Sequence, residues 1–211
     1  MTRSRAMDLT GFWRAIRRRR QWMFQTGVLG VVLGIAPVWG QAQNSAPHFE
    51  VKNYVITAEL LPSQHFLTAQ ARVDIVPSSD VTTLAFELHS NLRVEKVVDT
   101  TGQDVAFRQD GQALNLSLLN PLPAGKAASF TVKYGGMLNT ADGSPVEDLK
   151  VAYVGPEGSY LLYPGHWFPV STDHGNRFTA TMNITVPSDE TVVASGRAAA
   201  PERQPGKVTY T

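Results

Sequence analysis

The chain has 211 residues, 43% of them hydrophobic and 18% charged, enough apolar content to fill a core and to exclude wholesale disorder. It has no cysteine, which excludes disulfides and thiolate metal sites. The net charge of +1 conceals two opposed parts: residues 1–42 carry seven Arg and one Asp, and the remainder holds 12 basic and 17 acidic residues, a mildly acidic body with no electrostatic footprint for nucleic acid.

Arg17 to Arg20 form a basic block, an uncharged apolar run follows from Gly27 to Gly40, and Gly40-Gln41-Ala42 places small residues where a signal peptidase reads. This is the order of a secretory signal. The apolar run of 14 residues suits a signal core and falls short of the roughly 20 needed to span a bilayer. Residues 1–42 are therefore expected to be a helical signal peptide cleaved between Ala42 and Gln43, with the mature protein exported to the periplasm or the extracellular space. If the segment stayed uncleaved it would be a membrane anchor, the one route by which this chain would meet a membrane. Arg19 to Met23 (RQWM after Arg19 read as RRQWM) bears a faint likeness to a twin-arginine signal.

Residues 43–50 read as a flexible leader. Beyond them, over 51–211, apolar and polar residues alternate with the period of two that marks half-buried strands. Tyr54, Ile56, Ala58 and Leu60 line one face of the first strand, and Leu67, Ala69, Ala71, Val73 and Ile75 one face of the second. Leu84, Phe86 and Leu88 mark a third. Leu92 to Val98 is less regular and is expected to carry a bulge. Asp110-Gly111 predicts a tight hairpin between Val105–Phe107 and Leu114–Leu118. Pro121 to Gly125 turns the chain into a strand with Phe130, Val132 and Tyr134, after which Gly135-Gly136 reads as a turn. Gly135 to Gly158 reads as a long excursion, broken only at Leu149 to Val154. Alternation resumes at Phe178, Ala180, Met182, Ile184 and Val186. Val192 to Ala194 reads as a short strand and 198–206 as an exposed loop. Lys207 to Thr211 starts a further strand with an open edge, which suggests a chain truncated within a longer gene product. One polar face per strand predicts antiparallel sheets wet on one side, and many short strands predict an all-β, sandwich-like double sheet.

The five histidines, His48, His65, His89, His166 and His174, include no H-E-x-x-H pair. His166 and His174, beside Asp173, are the one pair close enough to consider for a metal, and two solvated loop histidines are the simpler reading. No G-x-S-x-G elbow and no phosphate-cradling glycine loop occurs. No catalytic, metal or cofactor-binding residue is assigned. Asn115-Leu116-Ser117 and Asn183-Ile184-Thr185 match the glycosylation triplet, and both fall on polar strand faces. The unusual segment is Tyr160 to Pro169, with four aromatics and two prolines in ten residues. It reads either as a packed corner of the core or as an interface anchor, and Trp167, Phe168 and Pro169 are the candidate domain-interface residues.

Several stretches, in order, resemble one family. Tyr54 to Pro62 (YVITAELLP) resembles the opening strand of the aminopeptidase N-like zinc metallopeptidases. Pro121 to Gly125 (PLPAG) with Phe130 to Gly136 (FTVKYGG) resembles a hairpin of that family. His166 to Pro169 (HWFP), Arg177 to Pro187 (RFTATMNITVP) and Val192 to Gly196 (VVASG) resemble its following stretches. The resemblance covers about 50–211 and implies the family's saddle-shaped N-terminal β domain. It also implies that catalysis and zinc belong to a separate domain, carrying H-E-x-x-H-x18-E and G-x-M-E-N motifs that are missing here. The partner it implies is that catalytic domain of the same polypeptide. The sequence departs from the pattern in three places: Val170 stands where the family has cysteine, the Asp-x-Pro that follows is not kept, and no match appears at Gly158-Ser159-Tyr160 for the Gln or Glu that many members aim at the substrate amine. The competing reading, from another class, is a self-contained exported β-sandwich that binds a protein or a glycan.

Overall fold

The computed structural model describes residues 49–140, 149–173 and 175–211. The expected signal peptide (1–42), most of the expected leader and His174 lie outside the described residues.

The regular structure of the described residues is almost entirely strand. In order these are β1 (Phe49–Leu61), β2 (Phe66–Pro77), β3 (Val81–Glu87), β4 (Leu92–Asp99), β5 (Ala106–Asp110), β6 (Ala113–Leu122), β7 (Ala128–Met137), β8 (Ala152–Tyr153), β9 (Tyr160–Leu161), β10 (Val170–Ser171), β11 (Thr179–Pro187), β12 (Glu202–Gln204) and β13 (Lys207–Tyr210). They form a seven-stranded sheet in the order β12-β13-β11-β1-β2-β7-β4, a four-stranded sheet in the order β10-β3-β6-β5, and the small pair β8-β9. The two larger sheets share one core, which holds Ile56, Ala71 and Val132 of the first and Leu84, Phe86 and Leu116 of the second. The Phe49 and Phe86 rings, 5.3 Å apart, join them directly.

The alternation read from sequence is the alternation that is buried. Along β2, Leu67, Ala69, Ala71, Val73 and Ile75 are buried, and Thr68, Gln70 and Arg72 are exposed. Burying a leucine- or isoleucine-sized side chain contributes about 1.5–3 kcal/mol, so a one-residue slip that turned this face outward would be prohibitive. The expected bulge in β4 lies between Val94 and Lys96. Gly111 and Gly125 take positive φ at the two expected turns.

The strands pair antiparallel as expected, except that β1 and β11 pair in parallel from Asn53↔Thr179 to Glu59↔Thr185. Four expectations are corrected. The leader is strand from Phe49, because Phe49 and Val51 are buried in the core. Gly135 and Gly136 make no turn; they lie within β7, where Gly136 pairs with both Leu67 and Leu92. A Cβ on Gly136 would stand 2.1 Å from the backbone oxygen of Asn91, so this glycine permits close approach of backbone rather than a bend. Val192 to Ala194 form no strand, having no neighbour to pair with. Finally, β13 is no open edge, since β12, read as loop, closes back on it.

The sheet edges are covered in different ways. The Gln109 side chain of β5 donates to the carbonyl of Leu92 (2.7 Å) and accepts from the amide of Val94 (3.1 Å). Further along, Val105 N donates to Val97 O and Asp99 N to Gln103 O. The outer edge of β4 thus finds partners within the same chain, which removes a template for edge-to-edge association. The opposite edge, β12, is three residues long and exposed, with Glu202 and Arg203 on it. The Gly136→Ala change is expected to cost about 2–3 kcal/mol through overpacking against Asn91, a fall of roughly 5–10 °C in Tm. Thermal unfolding checks it, and an unchanged Tm would mean that the β4–β7 joint has room that the geometry denies.

Candidate functional site

The segment from Tyr160 to Pro169 owes its shape to local chemistry. Pro164 sets the backbone of a single 3-10 turn, Tyr163–Gly165. His166 ends the turn in the left-handed region, with φ of 45°. Gly165 packs so closely on the chain at Val151 and Ala152 that a Cβ would lie 2.8 Å from the Ala152 side chain. The carbonyl of His166 accepts from the amide of His89 at 2.8 Å. The turn thereby throws the next residues inward.

Trp167, Phe168 and Pro169 are all buried, Trp167 at 4% and Phe168 at 2% exposure. Phe168 meets Trp167 edge-on at 5.0 Å and Tyr54 at 5.1 Å, and Phe178 also packs against Tyr54, at 4.9 Å. Burial pushes the Tyr54 hydroxyl well above its usual range, with Tyr163 adding to the effect and the Ser171 backbone opposing it. The three residues singled out from sequence are thus covered by this chain itself. The aromatic surface lies on their neighbours: Tyr160, Leu162 and Tyr163 are 42%, 52% and 41% exposed.

Tyr160 and Leu162 border a groove of about 280 Å³, lined by Leu60, Trp167, Met182, Ile184 and Val193 among others. Trp167 is on its floor. Val193, at 93% exposure, stands on its rim, which is where the unpaired Val192–Ala194 segment went. A larger groove, about 620 Å³, opens among residues 99–106, 117–123 and 126–130 and contains none of the candidate interface residues Trp167, Phe168 and Pro169.

Beside the aromatic segment is a cluster that sequence reasoning missed. The Tyr153 hydroxyl donates to the Glu157 carboxylate. That hydrogen bond holds the Glu157 carboxyl below the usual range, and His65 and Lys150 add to the effect. The Lys150 ammonium stands 4.2 Å from the centroid of the Tyr153 ring, and the Tyr160 ring is 5.6 Å from that of Tyr153. An exposed carboxylate beside aromatic faces can hold an ammonium group, and here it already borders one.

The histidines are dispersed. His65, at φ of 54°, follows the turn between β1 and β2, and its Nδ1 lies 2.7 Å from the carbonyl of Val154. His89 is buried and its Nδ1 accepts from the amide of Asn91. The Nε2 of His166 lies 3.6 Å from the carboxylate of Glu87. Among the described residues no three His, Asp or Glu side chains are grouped to hold a metal ion. Of the two glycosylation triplets, Asn183 is engaged with Thr57 and Thr211, and Asn115 is half-buried within β6. Trp167→Ala is expected to cost about 3–5 kcal/mol, as large-to-small core changes do, whereas Leu162→Ala should stay within about 0.5 kcal/mol. Chemical denaturation of both variants tests this, and equal losses would contradict the division between floor and rim.

No protein-family model matches the chain, and no curated protein matches it. Solved structures do. An M1 zinc metallopeptidase from Deinococcus radiodurans superposes with a TM-score of 0.66 at 20% identity, over 77% of this chain and 38% of that one. A two-domain M1 zinc metallopeptidase mutant bound to L-arginine gives 0.67 at 21% identity over the same shares. A mutant from Deinococcus radiodurans bound to a Tyr-Ser-Ala substrate gives 0.65 at 20%. The chain spans well under half the length of these proteins. Over 77% of its length the chain shares its fold with 38% of the chain of an M1 zinc metallopeptidase structure.

Proposed function

We propose that this chain is the non-catalytic N-terminal domain of an exported aminopeptidase N-like zinc metallopeptidase, which docks to a catalytic domain of the same polypeptide and shapes one wall of its cleft. The observation that carries this is the superposition of 77% of the chain on only 38% of a metallopeptidase chain, joined to the ordered sequence resemblance. On this reading zinc and the hydrolytic chemistry belong to the other domain, in keeping with the lack of an H-E-x-x-H pair in this sequence. The basic block and short apolar run before Gln43 support export. Glu157, ionised and exposed beside Tyr153, is the group on this wall suited to the ammonium of a peptide N-terminus.

The test is the exported gene product, purified whole. It should begin at Gln43, hold one zinc per molecule and release amino acids from amide substrates in a zinc-dependent way. In that protein Glu157→Ala should raise KM about tenfold with little change in kcat, as expected when one charge-assisted contact to bound substrate is lost. A zinc-free product without peptidase activity would overturn the functional reading. An unaltered KM would remove Glu157 alone from it.

A further inference from the structure

One motif noted in the sequence, Asp110-Gly111, takes no part in the proposed function. Asp110 and Ala113 are the last pair of the β5–β6 hairpin, so Gly111 and Gln112 form its two-residue turn, with Gly111 at φ of 56°. The Asp110 side chain is 81% exposed, and its ionic neighbour among the described residues is Arg108, at 3.8 Å. The carboxylate of Asp99, by contrast, is tied down by hydrogen bonds from Thr101 and Gln103. The amide of Gly111 donates to no backbone carbonyl among the described residues. A Cβ on Gly111 would meet nothing within 4 Å beyond its chain neighbours. An exposed, unlocked carboxyl therefore stands beside an amide nitrogen that no side chain shields.

The consequence lies across the sheet edge. β5 is five residues long, and β6 is its one sheet neighbour among the described residues. The register of a hairpin follows its turn, so Asp110 fixes the position of Gln109. The Gln109 side chain donates to the carbonyl of Leu92 and accepts from the amide of Val94, on the outer edge of β4. The β6 arm is anchored separately: it pairs with β3, and the Gln112 carbonyl accepts from the amide of Leu88 at 2.8 Å. A lengthened turn would thus displace β5 rather than β6.

We propose that Asp110-Gly111 is a site of spontaneous isoaspartate formation, and that this modification releases the hold of Gln109 on the edge of β4. The Gly111 nitrogen attacks Cγ of the protonated Asp110 carboxyl and forms a C–N bond. The carboxyl hydroxyl leaves with the amide proton as water. Water then opens the five-membered succinimide at either carbonyl. Attack at the Cγ carbonyl restores aspartate. Attack at the α-carbonyl gives isoaspartate, in which the peptide link runs through Cβ and Cγ and the backbone is one methylene longer. Water, lost once and regained once, is the sole co-reactant. The lengthened turn slackens β5, Gln109 withdraws, and the backbone of Leu92 and Val94 becomes a free edge. This chemistry is independent of the assigned function.

Ageing the folded full chain at neutral pH in heavy-oxygen water tests it. Each ring opening leaves one heavy oxygen in the peptide, and electron-transfer fragmentation separates isoaspartate from aspartate. Asp104, with a side chain 75% exposed, is the internal control. Isoaspartate should form roughly tenfold faster at Asp110 than at Asp104, whose following Val105 is branched beside the reacting nitrogen. The Asp110→Glu variant, which would have to close a larger ring, should form none at that position. Hydrogen exchange of the aged chain should show a second population at Leu92–Val94, equal in size to the isoaspartate fraction and exchanging about tenfold faster, as a locally freed edge does. Aged Asp110→Glu protein should lack it. Equal rates at Asp110 and Asp104 would overturn the site. Isoaspartate at Asp110 without the second population would overturn the release of the β4 edge.

Discussion

β1 is paired along both edges, antiparallel to β2 from Phe49↔Pro77 to Leu61↔Phe66 and parallel to β11 from Asn53↔Thr179 to Glu59↔Thr185. A parallel neighbour cannot come from a tight hairpin and requires a long crossover, so β11 reaches β1 only after most of the described chain has been laid down. Without that joint, the backbone of β1 would face water along one edge, and β11 with β13 and β12 would have no sheet to extend. The joint also places the β11 face, with Met182 and Ile184, beside the Tyr160–Trp167 segment. The groove therefore exists because of it.

The aromatic segment is held by backbone and packing together. Tyr54 of β1 receives Phe168 and Phe178 against its ring, while β10 adds Val170 and Ser171 to the edge of β3. Residues far apart in sequence are thus tied to the strand on which the large sheet depends. A change in Trp167 or Phe168 would be felt as lost folding stability before it was felt as lost recognition. The surface free to meet a partner is the outer shell of that packed corner, where Tyr160, Leu162, Tyr163 and Glu157 are exposed.

Period-two patterning made most of the fold legible in the sequence, because burial of one strand face leaves a direct mark on residue choice. β2 and β7 were readable from alternation alone. Pairing direction left no such mark: Thr179 to Val186 reads the same whether its neighbour runs parallel or antiparallel, so the β1–β11 joint could not be read. Gly135-Gly136 misled because glycine serves both turns and close backbone contact, and only the neighbour Asn91 decides between them. Val192-Val193 misled because apolar residues on a groove rim imitate a short strand. At the candidate site, the aromatic content of 160–169 pointed to the right segment but not to which of its residues face inward; the 3-10 turn at Tyr163–Gly165 decides that, and it depends on contacts with Val151 and Ala152.

The fold, the groove and the proposed docking all require the parallel joint between β1 and β11. Amide hydrogen exchange of the folded chain measures it most directly. If β1 is held on both sides, every amide from Tyr54 to Ala58 should exchange only through global unfolding, as the most protected core amides do, while those of β12 exchange through local fraying. Uniform slow exchange across Tyr54–Ala58 is the result this account expects. Fast exchange confined to alternate residues, those whose amides face β11, would show that the parallel joint does not form and would contradict the account at its centre.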